Sequence, residues 1–235
     1  MEDQKTRDYF DQFTPQYKPE RFDFAIEYLA EHAGPSQNLI DIGCGDGTTL
    51  YLIKKNTKLT QLSGLDISIN YLNKARSLVG CDIIQGSILD DDIVERYSGQ
   101  FDFCTLGAVL HHLIGSTRAV SFNHAMKCVE NALQLLKPNG RMIIFEPCYG
   151  PSFLMDIVFW IKKTFGSLTS GRFMLFKRWM NIGQPVVSYY TPKQLRSFID
   201  RLPNARVVKD LVIDNKRLGL LIARTGLGLI IQRTD

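Results

Sequence analysis

The chain has 235 residues, enough for one α/β domain with a full core. Apolar residues make up 45% of it and charged residues 22%, the balance of an ordinary globular protein. A net charge of +4 with no dense Lys/Arg block does not call for a nucleic-acid partner.

The five cysteines, at positions 44, 81, 104, 128 and 148, are odd in number and form no C-x-x-C pair. They read as reduced, buried thiols of a cytoplasmic protein, and argue against a disulfide frame or a zinc site. Met1–Lys5 is polar and lacks an apolar signal core. The apolar stretches 153–161 and 218–231 are interrupted by Asp156 and Arg224, so no transmembrane segment is expected.

Residues 6–33 carry a helical rhythm. Tyr9, Phe10, Phe13 and Tyr17 recur at three- and four-residue steps, and Phe22, Ile26, Leu29 and Ala30 repeat the pattern after Pro19. Pro15 and Pro19 divide the segment in two, and Gly34-Pro35-Ser36 ends it. Residues 38–42 then read as a strand ending in the turn Gly43-Cys44-Gly45-Asp46-Gly47, and Thr48–Lys55 resumes helical spacing. Strand, glycine turn and helix together point unpaired N–H groups at whatever lies on the turn. A dinucleotide fingerprint G-x-G-x-x-G would need glycine at 48, where Thr48 stands.

The form D-x-G-x-G-x-G, from Asp41 to Gly47, resembles motif I of the class I S-adenosylmethionine (SAM)-dependent methyltransferases. In that family the turn holds the amino acid end of SAM, and S-adenosylhomocysteine (SAH) is the product. A second strand over 59–67 includes Asp66, at the spacing where an acid meets a ribose. A carboxylate there can accept from both ribose hydroxyls. Ser68 caps the next helix, and Cys81–Leu89 holds the third strand and its exit. The family commonly places an acid near the adenine amine in this exit. Here Ser87 replaces it, a weaker acceptor, and Ile88 is placed to pack on the adenine face. The resemblance therefore implies cofactor contacts at Asp41, Gly43, Cys44, Gly45, Gly47, Asp66, Ile67, Ser87, Ile88 and Leu106. It also implies N-terminal helices that close over the cleft, with Tyr9, Tyr17 and Arg21 as pocket residues; packing alone accounts for those aromatics equally.

Residues 100–107 read as the fourth strand, with Asp102 as structural glue. Its exit, Val109-Leu110-His111-His112-Leu113, resembles the V-L-H-H-L of many small-molecule and lipid methyltransferases. Imidazole suits removal of a proton from a hydroxyl, so His111 is the first candidate base and His112 a further one; a structural tie to a neighbouring helix is the alternative. No [DNS]-P-P-[YF] turn follows this strand, which argues against nucleobase methylation. Residues 119–136 form an amphipathic helix, Lys137-Pro138-Asn139-Gly140 the turn, and Arg141–Phe145 strand five, ending in Glu146. Glu146 can orient a histidine, act as a base or be a plain strand-end acid. Residues 150–187 mix apolar, basic and aromatic side chains, fitting a lid, a packed subdomain, a dimer surface or a peripheral membrane contact. Thr191 and Pro192 open the last helix. Ala205–Ile213 and Leu218–Ala223 close the chain as a strand pair about Asn215-Lys216.

These elements predict one α/β domain over 1–235, with a doubly wound, seven-stranded, mostly parallel sheet and one antiparallel strand. Residues 1–36 are expected as an N-terminal helical cap and 150–187 as a helical lid. The expected activity is methyl transfer from SAM to a small-molecule or lipid-like acceptor, first at oxygen, without a metal and without nucleic acid. An amine or carbon acceptor, or a non-catalytic SAM-binding partner protein, is the alternative.

Overall fold

The computed structural model describes residues 22–165, 174–176, 180–181, 186–218 and 222–235. Seven strands share one sheet: β1 (Asn38–Ile42), β2 (Gln61–Asp66), β3 (Asp82–Gln85), β4 (Phe101–Gly107), β5 (Leu136–Gly150), β8 (Ala205–Leu218) and β9 (Ile222–Arg233). Their order is β3-β2-β1-β4-β5-β9-β8. The first five run parallel, and β9 lies antiparallel between β5 and β8. β9 is thus the single reversed strand.

Parallel strands buried on both faces read as near-continuous apolar runs, as the central β1 and β4 largely do, while the edge strand β3 is mostly exposed. Along β1, Leu39 faces a core shared with α1 (Asp23–His32), α2 (Thr48–Asn56) and α3 (Ile69–Val79). Ile40 and Ile42 face the other core, shared with α4 (Asp91–Tyr97), α5 (Arg118–Gln134) and α7 (Pro192–Ile199). The same alternation places Ile143 and Phe145 of β5 on the first side and Met142 and Ile144 on the second. All five cysteines are free and buried in these layers.

The strand order reverses between β1 and β4. Open α/β sheets bind ligands at such a point, outside the carboxyl ends of the strands. At the opposite end Asp102 acts as the expected glue: its carboxylate accepts the Asn38 N–H at 3.0 Å and Lys137 Nζ at 2.8 Å. Asn38 Oδ1 accepts the Asp102 N–H in return at 3.0 Å.

Three local expectations change. β5 starts at Leu136, not Arg141, and absorbs Lys137–Gly140 as a register shift with Asn139 at φ +63°. β8 runs through Asn215-Lys216 to Leu218. Asp214 holds it there, accepting the Gly226 N–H at 2.7 Å and Arg224 Nη1 at 2.9 Å. Segment 150–187 is not wholly helical: α6 (Ser152–Phe165) is followed by two short strands, β6 (Met174–Phe176) and β7 (Met180–Asn181). Thr191 and Gln194 form a full capping box at α7 with Pro192 at its start, as the sequence suggests. Among the described residues no helix is long and apolar enough to cross a membrane.

Gly47 sits at φ +85°, and a Cβ there would meet the Ala75 Cα at 2.8 Å. The glycine is what lets α2 start against α3. Gly47→Ala is expected to cost about 1–3 kcal/mol in urea unfolding through strain and overpacking. An unchanged midpoint would show that the contact gives way without cost.

Candidate active site

The glycine turn is tied to the neighbouring strand before any ligand arrives. The N–H groups of Gly43 and Cys44 both donate to Leu65 O, at 2.7 and 3.1 Å. Asp46 Oδ1 accepts the Thr48 N–H at 3.1 Å and the Thr48 hydroxyl at 2.7 Å, satisfying part of the start of α2. Gly45, at φ +54°, is different in kind: a Cβ there would meet nothing within 4 Å. Its bare backbone faces open space, where a ligand can approach the main chain closely.

Asp66, at the end of β2, joins this turn. Its Oδ2 accepts the Gly45 N–H at 3.0 Å and its Oδ1 accepts the Ser68 N–H at 2.9 Å. Ser68 in turn caps α3, its Oγ accepting the Tyr71 N–H at 3.3 Å. A carboxylate has about four acceptor sites, so two such bonds are compatible with further donors.

Around these groups lies a cleft of about 940 Å³, part of it open to solvent. Its wall is built from Gly43 and Gly45, Asp66 and Ile67, Tyr71, Ser87–Leu89, Ala108–Val109, His112–Ile114 and His124. Of the residues expected from the sequence, Gly43, Gly45, Asp66, Ile67, Ser87, Ile88 and His112 come together on this wall.

Asp41, Cys44, Gly47, Leu106, His111 and Glu146 do not line it. Asp41 is buried, with Thr105 Oγ1 donating to its Oδ1 at 2.6 Å. Cys44 packs against Gly64, and Leu106 is fully enclosed in the core. Tyr9, Tyr17 and Arg21 lie outside the described residues.

His111 and Glu146 form a buried pair, His111 Nδ1 lying 2.8 Å from Glu146 Oε2. The other carboxylate oxygen of Glu146 accepts the Leu110 N–H at 2.7 Å. One carboxylate therefore anchors the short 3₁₀ turn Leu110–His112 to β5, which continues past Glu146 to Gly150. Tyr189 stacks on the His111 ring with centroids 5.1 Å apart, and the Ser188 N–H donates to His111 O at 2.9 Å. His112, next in the chain, lines the cleft with its ring 4.1 Å from that of His111. His124, halfway along α5, had no motif to mark it in the sequence. Its place on the wall comes from the helix being pinned by Asn131, whose Nδ2 donates to Ile88 O at 2.8 Å.

The methyltransferase domain family model matches residues 40–142. The ribosomal RNA small subunit methyltransferase C of Haemophilus influenzae is 31% identical over 35% of this chain and 26% of its own length. The chain spans less than half the length of the curated relatives it matches. Two solved structures share the fold across almost the whole chain. An SAM-dependent methyltransferase of Methanosarcina mazei has a TM-score of 0.60 at 15% identity, covering 94% of this chain and 99% of that one. The N-methyltransferase NodS of Bradyrhizobium japonicum, in complex with SAH, has a TM-score of 0.60 at 12% identity, covering 98% and 99%.

Residues 40–142 match a methyltransferase domain, and the fold is that of solved SAM-dependent methyltransferases. SAM names the first of these solved structures, and SAH is bound in the second. The cleft of this methyltransferase domain fits the group: bare backbone at Gly45 for close approach, a strand-end carboxylate at Asp66, and apolar walls at Ile88, Leu113 and Ile114.

Asp41 supplies a pH test. Burial, opposed by the Thr105 hydrogen bond and assisted by Asp66, pushes its carboxyl up to about 7. A raised folded-state value means the fold favours the protonated acid. That contribution is full below the unfolded carboxylate range and is lost as pH rises through about 7. The ligand-free protein is therefore expected to lose stability between about pH 4 and 7 and to level off above, by roughly a few kcal/mol at most. Asp41→Asn keeps an acceptor for Thr105 and is expected to flatten this slope in thermal melts. An equal slope in the variant would place the titrating group elsewhere.

Proposed function

We propose that the chain transfers the methyl group of SAM to a small-molecule or lipid-like acceptor, with a hydroxyl oxygen as the first candidate atom. The observation that carries this reading is the joining of Gly45 and Asp66 in one cleft that also exposes His112. SAM supplies an activated methyl group, and the protein's task is alignment and water exclusion. Gly43 and Gly45 receive the amino acid tail, Asp66 the ribose, and Ser87 and Ile88 the base. Asp41, Cys44, Gly47 and Leu106 support that wall from behind.

His112 takes the role of proton acceptor for an acceptor hydroxyl, in place of His111. Both ring neighbours of His111 and its contact with Glu146 favour a positioning role for that pair. An apolar acceptor is supported by α6. Phe153, Ile157 and Trp160 recur at helical spacing and are 60%, 51% and 49% exposed. The helix is held beside the cleft by Lys163 Nζ, which donates to Gly115 O at 2.7 Å and Ser116 O at 2.8 Å. In this reading 1–235 is one cytoplasmic domain, with 1–36 and 150–187 as the acceptor-defining segments.

Methylation of ribosomal RNA is the second reading, favoured by the Haemophilus influenzae relative. Gly107-Ala108-Val109-Leu110 after β4, without the paired prolines expected of a nucleobase enzyme, argues for the first.

Asp66→Ala is expected to weaken SAH binding by about 10- to 100-fold in calorimetry, the loss of one or two hydrogen bonds to a charged group, while circular dichroism shows an intact fold. Unchanged affinity would remove Asp66 from the sugar. With an acceptor found by screening for SAH release, His112→Ala is expected to lower kcat by about 10²–10⁴ and leave SAH affinity alone. His111→Ala is expected to lower the melting temperature. Full turnover by His112→Ala would return the base assignment to His111.

A further inference from the structure

The base end of the cleft holds a histidine to which the sequence assigns no task. β2 and β3 are adjacent, with Asp66 in register with Gln85, so a nucleoside whose sugar sits on Asp66 extends its base over the β3 exit, Gly86–Leu89. Ser87 and Asp90 also shape this exit. Ser87 Oγ accepts the Leu89 N–H at 3.1 Å, and Asp90 Oδ2 accepts the Ser87 N–H at 2.9 Å.

α5 lies across the same exit through the bond from Asn131 to Ile88 O. His124 precedes Asn131 by seven residues, which is two helical turns and about 10 Å along the same face. α5 starts after the β4 exit, so those two turns carry His124 toward the cleft. There it lines the wall, half-buried, beside Leu113, Ile114 and Leu89. Among the described residues its ring makes no hydrogen bond and no ion pair. A neutral imidazole carries one donor and one acceptor on its edge. The edge of adenine likewise sets a donating amine beside acceptor nitrogens. Flat apolar walls with one such edge suit a purine read along its rim.

We infer that His124 is a cofactor-specificity residue, hydrogen-bonding the adenine edge and selecting a 6-amino purine. The inference rests on reading the cleft as the SAM site.

The test is calorimetric titration with SAH and with its 6-oxo analogue, S-inosylhomocysteine, on the full chain. The natural protein is expected to prefer SAH by at least tenfold. His124→Ala is expected to weaken SAH by about 5- to 20-fold, leave the analogue within about twofold, and so collapse the preference. His124→Gln, which keeps a donor and an acceptor, is expected to restore part of it. An unchanged preference in His124→Ala, or an equal loss for both ligands, would overturn the assignment and leave the cleft reading standing. A natural protein that binds neither ligand would overturn both.

Discussion

The carboxylate of Asp66 accepts two backbone N–H groups, one from the glycine turn after β1 and one from the start of α3. It thereby fixes the ends of two neighbouring parallel strands relative to each other. Without it the turn would hang from β2 by the two bonds to Leu65 O alone. A buried or half-buried carboxylate keeps its charge only where donors surround it, and backbone amides of this kind provide that. The same carboxylate lines the cleft. The turn's geometry and the carboxylate on the cleft wall are in this way set by a single side chain, placed by the strand end rather than by a flexible loop.

Two other carboxylates divide the remaining tasks. Asp102 ties the amino ends of β1, β4 and β5, far from the cleft. Glu146, farther along β5, holds the turn Leu110–His112, keeping His111 inside and leaving His112 on the wall. Buried acids without such partners would be costly. Asp41 is the exception, answered by Thr105 and driven toward its protonated form. Unlike Asp66, this acid does not line the cleft.

Much of this was legible in the sequence where burial alone decides structure. Strand one matches residue for residue, because a parallel strand covered on both faces is a bare apolar run bounded by polar turns. The cap at Thr191 was equally readable, since its hydrogen bonds are local. What was not legible depends on contacts distant in the chain. Asn215-Lys216 reads as a turn until Asp214 is seen to hold Arg224 and Gly226. Gly47 and Gly45 look alike in a motif, yet one meets Ala75 and the other faces the cleft. His111 and His112 are neighbours, and only Glu146, 35 residues on, decides which is turned inward. His124 carries no motif at all; its place follows from Asn131 and Ile88.

The most direct test of the account is a crystal structure of the protein with SAH. The account predicts the ribose hydroxyls within about 3 Å of the Asp66 carboxylate, the amino acid tail against Gly43 and Gly45, and the adenine over Ser87–Leu89. A ligand bound with its sugar away from Asp66, or a cleft filled by the chain's own side chains while SAH binds elsewhere, would contradict it.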